Sequence, residues 1–157
     1  MTGRAFSPGV ANAVVPDGPR DYFGYTVNLG ALAAAAVANA NLAISADSDF
    51  WWTGLTYQTD LAGAAVTEAT RPIPLITVQI TDTGSGRQLY NNPTPLGNVA
   101  GTGPLPYRLI HPRFFARSTT IQINATNYSA GTTYTNTFLT FIGFKIFVNV
   151  RRPLISQ

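Results

Sequence analysis

The chain contains no cysteine, which excludes a disulfide framework and a thiolate metal site. Charge is scarce: 11% of residues are charged, against roughly 25% in ordinary soluble domains. Nine of the ten basic side chains are arginine, Lys145 is the single lysine, and seven acids leave a net charge of +3. That balance is too mild for the basic stripe of a nucleic-acid binder, so nucleic acid is not expected as a partner. The surface must instead stay wet through Thr, Asn and Ser, or be covered in part by other chains. Histidine is almost missing as well. A hydrolase needs a nucleophile beside a base, or paired carboxylates in a cleft. The lone His111, lodged between Ile110 and Pro112, reads as a structural or surface residue. No charged segment followed by an apolar one opens the chain, as a signal peptide requires. The apolar stretch LGALAAAAV at 29–37 is too short to span a bilayer. No membrane association is expected; the chain reads as made and used in a cytoplasm or in a particle assembled there.

What is present is β-pattern. Between residues 117 and 147, Ile121, Ile123 and Ala125 alternate with Gln122, Asn124 and Thr126, the period of a strand with one wet and one buried face. NYSAGT at 127–132 supplies a turn. The next strand, 134–147, carries the nearly continuous apolar run of Phe138, Leu139, Phe141, Ile142, Phe144, Ile146 and Phe147. A helix competes for a run of this length, but Thr, Phe and Ile dominate and Gly143 interrupts. The run predicts a strand buried on both faces, with a neighbouring subunit as the second cover.

Residues 1–20 hold three prolines and three glycines without a sustained period and read as an arm. With Phe6, Val10 and Val14 it is either a disordered terminus or a segment laid on the body or on a neighbour. A strand is predicted at 21–29, then a bend through the Ala-rich stretch and another strand at 40–45. Trp51 and Trp52 stand side by side, so on a strand one enters the core and the other faces outward. Ile76, Val78 and Ile80 alternate with Thr77, Gln79 and Thr81, DTGSG at 82–86 is a turn, and 87–90 returns as a hairpin. A proline-rich loop covers 91–106, a short strand starts at Tyr107, and His111, Pro112 and Arg113 break it. About eight short strands between Gly- and Pro-rich loops predict an all-β fold, an antiparallel jelly-roll-like β-sandwich over 21–147, with the arm at 1–20 and a tail at 148–157. An immunoglobulin-like sandwich is the alternative.

No cofactor, catalytic or metal site is expected. Asp47 and Asp49 flank Ser48, but the further oxygen ligands and the glycine of a calcium loop are missing. Asp82 to Gly86 lacks a following helix to make a phosphate cradle. Arg108, Arg113, Arg117, Arg151 and Arg152 interleave with Tyr107, Phe114 and Phe115, a pattern that suits carboxylate pairing at an interface as well as single-strand binding. The candidate interface residues are therefore Phe6, Val10, Val14, Trp51, Trp52, Tyr107, Arg113, Phe114, Arg151 and Arg152. Trp51, Trp52 and Tyr57 also suggest a stacking platform for carbohydrate.

Several segments carry a resemblance: Ser45-Ala46-Asp47-Ser48-Asp49-Phe50-Trp51; Thr70-Arg71-Pro72-Ile73-Pro74; Val78 through Arg87 with its DTGSGR turn; Leu105-Pro106-Tyr107; Pro112-Arg113; and Phe138 through Lys145, FLTFIGFK. In this order they resemble a group of virion structural proteins of tailed bacteriophages. The resemblance implies a capsid cement or decoration protein with a jelly-roll body. The partners expected on that resemblance are the major capsid protein and other copies of the chain, as a dimer or trimer, in a virion assembled in the host cytoplasm. A neck, tail or baseplate position is the alternative.

Overall fold

A computed structural model describes residues 19–63 and 72–147. Within them the chain forms two antiparallel sheets and almost no helix. The strands in order are β1 (Arg20–Asn28), β2 (Val37–Ala43), β3 (Ser48–Leu61), β4 (Ile76–Asp82), β5 (Arg87–Gln88), β6 (Thr94–Pro95), β7 (Tyr107–Phe115), β8 (Thr120–Asn127) and β9 (Tyr134–Phe147). One helical turn, α1 (Leu96–Val99), follows β6. The first sheet has the order β1-β9-β3-β7 and the second β2-β8-β4-β5, with β6 also on β4. Pairing is nested: first strand with last, second with second last, β3 with β7, and β4 with its own hairpin.

Alternation builds the core between the sheets, with one change of phase in β3, where the register shift at Thr53 moves the inward side from Phe50 and Trp52 to Leu55 and Tyr57. The four-stranded sheet contributes mainly aromatic side chains: Tyr25, Phe50, Trp52, Tyr57, Phe115 and Phe141. Its partner contributes aliphatic ones: Leu42, Ile76, Val78, Ile80, Ile121 and Ile123. Broad rings on one layer and branched chains on the other interdigitate to fill the space between the sheets. Trp52 lies between Phe115 and Phe141, with ring centroids at 5.9 and 5.2 Å. Its indole N–H donates to the Gly54 carbonyl at 2.6 Å, so burial leaves its one donor satisfied.

Two details depart from the sequence expectation, and a third bears on it. The second strand begins at Val37 rather than 40, because alanine carries no period to read. The motif His111-Pro112-Arg113 does not end its strand: β7 runs on to Phe115, with four residues (109–112) set against the single Thr53 of β3. Proline is tolerated there because β7 is an edge strand. The second face of β9, for which a neighbouring subunit is the expected cover, looks outward from the described residues: Phe138 and Ile142 are half-buried and Phe144 is 37% exposed. Gly143 has a packing reason, since a methyl there would overlap the Trp51 carbonyl oxygen.

One buried side chain ties the loops to the sheets. Asn127, at the end of β8, donates to the carbonyls of Leu32, Ala33 and Thr132 and accepts from the Ser129 N–H. The β1–β2 connection and the β8–β9 turn are thereby held to one point.

Candidate interaction face

Register places four aromatic residues in line across the outer side of the four-stranded sheet. Tyr22 of β1 is opposite Phe144 of β9, Phe144 is opposite Trp51 of β3, and Trp51 is opposite Phe114 of β7. Tyr22 and Phe144 meet edge to face with centroids 6.0 Å apart. Tyr22 is 69% exposed and Phe114 50%. The Arg20 guanidinium lies over the Trp51 ring, 5.4 Å from its centroid. Arg20, Trp51, Thr53, Pro112 and Phe144 line a shallow depression of about 160 Å³. Further along, the face turns polar: Thr26 and Thr140 share a hydrogen bond at 2.9 Å, and Asn28 and Gln58 flank Phe138.

Of the residues singled out in the sequence, Trp51 and Phe114 belong to this row, and Tyr107 is exposed on the same edge strand. Trp52 does not belong: it is 0% exposed and fixed in the core, so it is not available to an interface. The carbohydrate platform fails for the same reason, since Tyr57 is buried too and only Trp51 faces outward. Phe6, Val10, Val14, Arg151 and Arg152 lie outside the described residues, as do the arm at 1–18 and the tail at 148–157. Tyr22, Phe144 and Arg20 were missed. Tyr22 was accessible from the alternation of β1, but its alignment with Trp51 needs the β1-β9-β3 order, which no local pattern encodes.

Among the described residues, Arg113 and Arg117 are placed apart. Arg113 and Arg87, with Asp82, Leu89 and Phe114, line a groove of about 330 Å³. Burial raises the nearby Tyr90 hydroxyl above its ordinary value of 10.0; Tyr107 adds to this and Arg113 opposes it. Arg117 is placed elsewhere, its backbone N–H donating to Asp49 at 2.8 Å.

The remaining polar groups serve the fold. Asp47 accepts from the Ser48 hydroxyl at 2.9 Å and faces Lys145 at 3.6 Å. The Ser48 hydrogen bond, and then Lys145, hold its carboxyl below the usual carboxylate range, partly offset by desolvation. Lys145 also donates to Ser45 and lies over the Phe23 ring at 4.3 Å. Asp47 and Asp49 are thus engaged by different donors. Asp82 accepts from the Gly84 N–H and the Ser85 hydroxyl, closing the hairpin turn rather than leaving an anion cradle. Among the described residues no three His, Asp or Glu side chains are grouped to hold a metal, and no helix is long and apolar enough to cross a membrane.

No family model matches the chain, and neither a curated protein nor a solved structure matches it.

Proposed function

We propose that this chain is a non-enzymatic structural protein of a tailed-bacteriophage particle, a cement or decoration protein that binds the outside of the head as an oligomer. The body is read as a jelly roll. In its support, the nested pairing of β1 with β9, β2 with β8 and β3 with β7 is what wrapping one long hairpin into two sheets requires. The observation that carries the functional reading is the aromatic row from Tyr22 to Phe114, left open on a chain with little charge to keep it wet. Half-exposed aromatics beside an arginine are the composition of contact surfaces. The partners are the major capsid protein and further copies of this chain. Each contact is modest, but copies tethered on a shell engage many sites at high effective concentration.

Particles lacking the chain test this. Such shells should release their DNA at a lower temperature than complete ones, and the copy number on complete particles should match the shell lattice. Equal heat resistance would overturn the cement role, and a copy number fitting a single ring would favour the neck or tail.

A further inference from the structure

Sheet edges expose unpaired backbone groups, and proteins usually guard them with charge, proline, a bulge or shortness. Three edges here are treated that way. β7 has Pro112, the bulge at 109–112 and the flanking Arg108 and Arg113. β5 and β6 are two residues long. β1 opens on Arg20 and Asp21. The edge strand β2, VANANLA, has no charge, no proline and no register shift against β8.

The hydrogen bonds fix which of its groups have no backbone partner among the described residues. Asn127 donates to the Ala36 carbonyl and Ile44 donates to the Thr119 carbonyl, both in the register that pairs Val37 with Thr126. Even-numbered residues of β2 therefore bond to β8. The N–H and C=O groups of Val37, Asn39, Asn41 and Ala43 point away from the sheet.

We propose that β2 pairs antiparallel with β2 of a second copy across a two-fold axis at Ala40. This deepens the oligomer in the functional reading above, although the edge geometry stands without it. In that register Val37 is opposite Ala43 of the second copy, and Asn39 is opposite its Asn41. Each such pair exchanges two backbone hydrogen bonds, and every free group on the strand is satisfied. No other symmetric register uses all four residues. The side chains agree with it. Asn39 lies in line with Asn124 and Gln79, and Asn41 with Gln122 and Thr81. Joining Asn39 to Asn41 of the second copy makes one row of amides across both molecules, with no charge to repel. Inside, the small Ala38 meets Leu42, and Ala40 meets itself.

The test uses the absence of cysteine. Residues facing each other at a non-hydrogen-bonded antiparallel position lie about 4.5 Å apart between Cα atoms, within disulfide reach. Full-length A40C should oxidise to a linked dimer, and A38C, opposite Leu42, should not. By sedimentation the wild type should have an even-numbered mass. N39K/N41K sets like charges opposite each other and should weaken pairing about tenfold; N39K/N41E sets opposite charges there and should retain it. These side chains are exposed, so circular dichroism should report the same fold for both. A monomeric wild type would overturn the proposal. So would an oligomer that survives N39K/N41K unchanged while A40C stays unlinked, since association would then run through another surface. If N39K/N41K is monomeric and still decorates stripped shells, the β2 contact and the cement role are shown to be separate.

Discussion

On the outer side of the four-stranded sheet, Tyr22, Phe144, Trp51 and Phe114 line up with Arg20 folded over the indole. On the outer side of the other sheet the corresponding rows are Asn39, Asn124 and Gln79, then Asn41, Gln122, Thr81 and Gln88. Both faces arise from the same period-two alternation. One is shaped for contact that excludes water. The other is polar without formal charge: Asn39 and Asn41 are exposed, while Gln79 is buried and donates to the Tyr90 carbonyl at 2.7 Å. The inner faces differ too, aromatic on the first sheet and aliphatic on the second. A chain with so few charges divides its surface into a face that gains by being covered and a face that can stay wet.

The adjacent tryptophans give the largest expected contrast. Trp52→Ala removes a fully buried ring and its hydrogen bond and should cost about 3–5 kcal/mol by urea denaturation. Trp51→Ala should cost under about 1 kcal/mol. Equal costs would remove the distinction between core and contact face. On the second sheet the corresponding weak point is polar: Asn127→Ala strands the buried Ser129 N–H and removes one of the two donors to each of three carbonyls, which keep the Tyr134 N–H, the Ala36 N–H and the Ser129 hydroxyl. It should cost about 2–3 kcal/mol, with faster hydrogen exchange in the β1–β2 loop and the β8–β9 turn together.

Much of this fold was legible beforehand. The alternations in β4 and β8 named their inward residues, and the DTGSG turn named its hairpin. The proline in β7 misled because its tolerance depends on the strand being at an edge, a property of sheet order. The apolar run of β9 predicts cover on both faces, the second by a neighbouring subunit; within the chain its Phe138, Ile142 and Phe144 face outward. Composition shows that a face is apolar; only register shows what lies beside it. For that reason Trp51 was found and its neighbours Tyr22 and Phe144 were not.

Smaller effects sharpen the contrast. Asn124 has a buried side-chain oxygen without a partner, so Asn124→Thr breaks no bond of that oxygen and should be neutral or stabilising by up to about 1 kcal/mol. A large loss would mean that the amide face is structural. In acid, the Asp47 carboxyl is held below the ordinary value of 3.8 by Ser48 and then Lys145. Its contribution is fully present above that value and is lost as pH falls through the lower folded-state one. Lys145→Met should flatten the acid limb of the denaturation midpoint slightly.

The contact face is tested most directly by returning purified protein to shells stripped of it. Wild type and Asn124→Thr should rebind to the same copy number, while Trp51→Ala should fail to bind with an unfolding midpoint close to wild type. Rebinding by Trp51→Ala at wild-type level, with loss of binding on changing Asn124, would place the contact on the amide face and contradict the account.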